Sequence, residues 1–260
     1  MKKILCILSL FVVTALSGCF DIVNESTINE DGSGVYSNTT NMGSLINLLK
    51  MMGGEDKMKE LEKINKDSTI SLSHLKDSIE NISDLEKKLI EHATLRINFN
   101  FPEEIMAITI TIPYDKQSDM AAVSRIIAET GKKTFDKEMG KMLPGLGGEE
   151  QMGMSSSNNN SMPDINVYFD YIYENGKMSK KLNQARYATV LDDPLLKSMK
   201  EMSQLGSPMM LKTVFNLPRP VKKAEGIGLK VADNKKKVTI EATIDDFFES
   251  PEKLEYEIEY

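Results

Sequence analysis

The chain has 260 residues, with 39 acidic against 32 basic side chains and a formal net charge of −7. An acidic balance excludes the basic face that phosphate backbones call for, so nucleic acid is not a partner. It also leaves no positive surplus for adhesion to anionic headgroups. There are only two cysteines, Cys6 and Cys19, too few for a disulfide framework, so a domain of this length must rely on an ordinary core.

Lys2 and Lys3 precede an apolar run from Ile4 to Leu16, which ends at Ser17, Gly18 and Cys19. Charged start, short apolar core and small residues are the parts of a secretory signal. The run is shorter than the ~20 residues a spanning helix needs. Leu16-Ser17-Gly18-Cys19 resembles the lipobox of bacterial lipoproteins. That resemblance implies cleavage between Gly18 and Cys19, with acyl chains on the Cys19 sulfur and on the new N-terminus. Residues 1–18 are then a signal peptide and residues 19–260 one envelope domain. Two or more chains suffice for stable anchoring, at ~0.8 kcal/mol per buried methylene.

A strand is expected from Phe20 to Ile28, a turn at Glu30-Asp31-Gly32-Ser33-Gly34, and a returning strand from Val35 to Met42. Gly43 to Met52 reads as a short helix, Asp56 to Lys66 as a charged one, and Thr69 to Leu72 as a brief extended piece. Ser73 is placed to cap a helix carrying Leu75, Ile79 and Ile82, and Ser83-Asp84-Leu85-Glu86 is a capping box that restarts one. Leu95, Ile97, Phe99 and Phe101 alternate, then Met106, Ile108, Ile110 and Ile112, which predicts a hairpin with one buried face. Ser118 to Met142 predicts a long amphipathic helix with Met120, Val123, Ile127 and Thr130 on its stripe.

Residues 144–163 are rich in Gly, Ser, Asn and Met and are expected to be a mobile loop. Ile165 to Tyr173 alternates, Asn175-Gly176 is a strong hairpin turn, and Met178, Lys180 and Leu182 return. Asp192 to Gly206 reads as helix, with Pro194 in its first turn. Then come strands at Met209–Leu217, Ile227–Val231 and Val238–Ile244, and a last one through Leu254, Tyr256, Ile258 and Tyr260. The whole predicts an α+β fold: an antiparallel sheet built from N- and C-terminal hairpins, with helices packed on one side.

The motifs of catalysis are missing. There is no HExxH, GxSxG, Walker loop or GxGxxG. His74 and His92 lack the clustered acids or cysteines of a metal site. Thr27 to Asn38 is a poor calcium loop, because Asn38 stands where a bidentate Glu is needed. Asp192-Asp193 and Asp245-Asp246 read as helix starts or solvated faces before they read as paired catalytic carboxylates. The 17 methionines, several in or near the loop, read as core filling, with adaptable apolar contact as the second reading and thioether binding of Cu(I) as the third. No catalytic residue, metal ligand or cofactor is therefore assigned.

Cys19-Phe-Asp-Ile-Val-Asn-Glu and the following Gly-containing hairpin resemble the start of Bacteroidota lipoproteins. Phe215-Asn-Leu-Pro-Arg-Pro-Val221, Gly226 and Val238-Thr-Ile240 resemble the LppM-like lipoprotein domain. Asp67-Ser68-Thr69 and Asp77-Ser78-Ile79 resemble the O-glycosylation acceptors of exported Bacteroidota proteins, which marks Ser68 and Ser78. Together these imply a membrane-anchored lipoprotein of the cell envelope, at the outer membrane, that is not an enzyme. Its role would be structural, or the binding of an envelope protein through the sheet face and the Met-rich loop. The alternative is a carrier of a lipid or other hydrophobic ligand.

Overall fold

The computed structural model describes residues 20–43, 46, 50, 62–63, 65–79, 82–127, 130, 165–203 and 209–260. Among these residues twelve strands run β1 (Phe20–Ile28), β2 (Gly34–Asn41), β3 (Asn65–Ser71), β4 (Thr94–Asn100), β5 (Ile105–Tyr114), β6 (Phe169–Glu174), β7 (Lys177–Leu182), β8 (Met209–Asn216), β9 (Lys223–Glu225), β10 (Leu229–Val231), β11 (Lys237–Thr243) and β12 (Tyr256–Glu259). They form an eight-stranded sheet, ordered β10-β11-β8-β1-β2-β5-β4-β3, and a four-stranded sheet, β6-β7-β12-β9. The fold is α+β, as the alternation and capping signals predict.

Period-two patterning decides which face is buried. Leu95, Ile97 and Phe99 of β4 and Met106, Ile110 and Ile112 of β5 point into the core. Their alternates, such as Thr94, Arg96, Thr109 and Thr111, face outward. Thr39 and Thr109 share a 3.0 Å hydrogen bond on that outer face. The hairpin turns follow their sequence signals. Gly32 and Gly176 take φ of 86° and 81°, and the Asp31 carboxylate accepts from the Ser33 amide and hydroxyl.

Within the large sheet one pairing is parallel. β1 runs alongside β8, with Phe20 opposite Met209 and Thr27 opposite Asn216. This contact joins the N-terminal hairpin directly to the C-terminal strands. The last strand, β12, leaves that sheet and forms the middle of the small one, between β7 and β9. The two sheets share one core, and the Phe215 and Tyr256 rings meet edge to face at 5.3 Å across it. A second cluster, around Leu196, Leu211, Ile244, Phe247 and Leu254, fills the other half.

The helices lie on the core side. Helix Asp84–Glu91 begins at the expected capping box, with the Ser83 amide donating to Glu86 Oε2 at 2.8 Å. It buries Leu89 and Ile90. Burial pushes the Glu86 carboxyl up, but a two-pronged ion pair with Arg125 and the bonds from Ser83 outweigh it and hold the group below its ordinary value. Residues 120–127 are helical, with Met120, Val123 and Ile126 inward. The rest of that predicted helix, apart from the buried Thr130, and the predicted loop at 144–163 lie outside the described residues.

Local expectations change in several places. Ile165–Tyr168 is a 3-10 turn, so the strand expected from Ile165 begins at Phe169. β10 starts at Leu229 and not Ile227, and Leu254 ends a 3-10 turn before β12. β3 begins at Asn65, not Thr69, because a polar edge strand needs no apolar alternation to pair on one side. Ser73 starts only a short 3-10 turn, Ser73–Leu75, followed by turns to residue 79. Ile244 does not extend β11; it opens helix Ile244–Glu249. There the Thr243 hydroxyl accepts from the Asp246 amide and Asp246 accepts from the Thr243 amide at 2.8 Å. An apolar residue at 244 suits both periods, and the cap decides between them.

Candidate functional site

The residues singled out from sequence do not converge. Gly18 and Cys19 lie outside the described residues, immediately before β1. Ser68 sits half-buried on the edge strand β3, on the same face as Ile70, while its neighbour Asp67 pairs with Arg96 on the other face. Ser78 is exposed in a turn, its amide donating to Leu75 O. His74 Nδ1 lies 3.1 Å from Ser71 O, and His92 ends helix Asp84–Glu91.

The two acid pairs are occupied with local structure. Asp193 accepts from the Leu196 amide at the start of helix Pro194–Ser203. Asp246 caps its helix and accepts from Lys253 at 2.6 Å, and Asp245 accepts from the Ser203 hydroxyl. The Thr27–Asn38 segment is an ordinary hairpin. Among the described residues, no three His, Cys, Asp or Glu side chains stand together as a metal site, and no helix is long and apolar enough to cross a membrane.

What the fold does assemble is a polar cleft of about 280 Å³, lined by Asn175, Gly176, Lys177, Arg219, Lys222, Glu259 and Tyr260. Pro218 and Pro220 stop the chain from pairing on after β8. The segment is then pinned by bonds from Val221 N to Lys235 O and from Lys222 N to Glu259 O. Arg219 lies over the Tyr260 ring at 5.6 Å and donates to Asn175 Oδ1 at 3.4 Å. Lys222 Nζ donates to the backbone O of Tyr260 at 3.2 Å. Lys177 stands 3.5 and 3.7 Å from the Glu257 and Glu259 carboxylates. Arg219 and Lys222 offer the planar and flexible donors that suit a carboxylate or another anionic group, while the charge of Lys177 is already answered by Glu257 and Glu259. The cleft contains no nucleophile held by a base.

Behind it lies a buried layer of tyrosines. The Tyr260 hydroxyl donates to Gln117 Oε1 at 2.8 Å, and Gln117 Nε2 donates to Lys177 O. Tyr114 shares a 3.0 Å bond with Ser26. Burial pushes the Tyr114 phenol up to about 12, and it pushes Tyr173 and Tyr256 up as well. A phenol kept neutral by the fold ionises first in the unfolded chain. The phenols' contribution to stability should therefore be level below pH 10, the ordinary value, and should fall as pH rises toward about 12. Urea midpoints measured across that range, with tyrosinate absorbance as the second signal, check this. Tyr114→Phe should flatten part of the fall.

Lys180 is the least expected buried charge, 5% exposed. Its ammonium sits 4.1 Å from the Phe169 ring centroid and 3.4 Å from Asn166 Oδ1. Its inward place was legible in the Met178, Lys180, Leu182 alternation. The cleft was not, since its cations come from two segments about forty residues apart, the hairpin at Lys177 and the stretch with Arg219 and Lys222.

No protein-family model matches the chain, and no curated protein matches it. Among solved structures, the chain is similar to the folded domain of the LppM protein of Mycobacterium tuberculosis, determined by NMR. The TM-score is 0.36 and the identity 5%, over 93% of this chain and 90% of that one. The likeness is distant and concerns fold alone.

Proposed function

We propose that this chain is a lipid-anchored protein of the cell envelope, of Bacteroidota type and at the outer membrane, whose domain works by contact and not by catalysis. The observation that carries the reading is Leu16-Ser17-Gly18-Cys19 followed directly by a folded strand at Phe20. A lipobox set against a domain with no spacer is a tether, and the acyl chains supply the affinity that the acidic surface lacks. The role is structural or partner-binding, and the Lys177, Arg219 and Lys222 cleft is the described surface that suits an anionic partner group.

Cys19→Ala tests it. The wild type should take up labelled palmitate and sediment with membranes. The variant should take up none and move almost wholly to the soluble fraction. Unchanged sedimentation, or a wild type that stays unlabelled, refutes the anchor. Turnover in a broad hydrolase screen, abolished by one carboxylate change, would overturn the non-catalytic reading. A lipid that co-purifies in native mass spectrometry would favour a carrier instead.

A further inference from the structure

The anchor reading has a geometric consequence for which surface meets the bilayer. Cys19 is one peptide bond from Phe20, so their Cα atoms are about 3.8 Å apart, and Phe20 is already the first residue of β1. The tether has no slack. Strand direction then sorts the described strand ends of the large sheet onto one of two ends.

The end where β1 begins collects Met209 beside Phe20, Asn41 beside Asp21 and Thr243 beside Met210. It also holds the turn between Asn100 and Ile105 and the start of helix Ile244–Glu249. The other end collects the Asn29–Ser33 turn, Tyr114, Asn216 and Lys237. The polar cleft belongs to that far end. Val221 bonds to Lys235 beside the start of β11, and Gln117, just past β5, reaches Lys177. The nine residues of β1 separate the ends by about 30 Å, at ~3.3 Å per residue.

We infer that the Phe20–Asn41–Met209–Thr243 end of the sheet is the membrane-facing surface and that the Lys177–Arg219–Lys222 cleft points away from the lipid, toward a partner in the aqueous phase. This rests on the anchor at Cys19. The place of β1 in the sheet argues for an upright stance. Three strands lie on one side of it and four on the other, so tipping in the plane of the sheet drives one edge or the other into the headgroups. Tipping out of the plane toward the core side is blocked by the helices. Tipping the other way would lay down an outer face carrying Glu25, Asp67 and Glu241, whose carboxylates are hydrogen-bonded to Asn216, Arg96 and Lys230. Arg96 and Lys230 lie on that face with their partners, and laying these pairs on the bilayer would strip them of water.

The mature chain would carry no cysteine besides the acylated Cys19, so single labels are clean. Glu103→Cys reports the near end, Asp233→Cys the far end and Ser37→Cys the middle of the outer face. Each full-length acylated protein is labelled with a fluorophore and reconstituted into phosphatidylcholine–phosphatidylglycerol vesicles containing headgroup-quencher lipid. The Glu103→Cys label should be quenched several-fold more than the other two. Equal quenching at all three, or strongest quenching at Ser37→Cys or Asp233→Cys, overturns the orientation and leaves the anchor standing. Protein that does not float with the vesicles overturns the anchor and the orientation with it.

Discussion

A chain cut after Glu255 should show no cooperative thermal transition. The deleted residues include β12, to which β7 and β9 both pair, so the small sheet loses its middle and falls into two unconnected pieces. Tyr256, Ile258 and Tyr260 are 2%, 0% and 2% exposed. At roughly 1.5–3 kcal/mol for each large buried side chain, their loss removes about 5–9 kcal/mol. Domains have about 5–15 kcal/mol of stability in all. The loss also uncovers Phe215, whose ring packs on Tyr256, and leaves Gln117 without the Tyr260 hydroxyl. Circular dichroism on heating checks the outcome; a truncated domain that melts as sharply as the full one refutes it. Ile258→Ala is the milder companion. It keeps the strand and should cost about 2–5 kcal/mol in urea denaturation.

Gly34→Val should lower stability by about 3 kcal/mol, the upper range for forcing atoms into a filled site. Gly34 opens β2 opposite Ile28 on one side and Tyr114 on the other. A Cβ there would collide with the backbone O of Thr27 and with the end of the Tyr114 ring. Neither can easily give way. Thr27 O belongs to a strand paired on both sides, and the Tyr114 hydroxyl is held by Ser26 in a buried bond. Gly34→Val combined with Tyr114→Phe removes only the hydroxyl part of the clash, so the double variant should recover part of the loss. A Gly34→Val protein with the wild-type urea midpoint would show that the turn relaxes around the new side chain.

Much of the secondary structure is written locally. β4 and β5 follow from strict alternation of Leu95, Ile97 and Phe99 with Met106, Ile110 and Ile112. The β6–β7 hairpin follows from Asn175-Gly176, and helix Asp84–Glu91 from the Ser83–Glu86 box. Each signal works over a few residues, because a pleat, a turn or a cap is settled by neighbours in the chain. The proposed anchor signal is equally local, since it is a short string that ends at Cys19.

The tertiary structure alone decided how those elements meet. Nothing near Phe20 announces that β1 runs parallel to β8, nearly 190 residues on. Nothing near Tyr256 says that the last strand leaves the large sheet for the small one. Lys177, Arg219 and Lys222 share a cleft only because the Asn175-Gly176 turn and the segment after Leu217 are brought together by Tyr260. A strand's alternation states which face must be buried, but its edge hydrogen bonds can be satisfied by any partner of matching length. The choice among partners is made by the joint packing of both sheets over one core, and so leaves no mark in any single stretch of the chain.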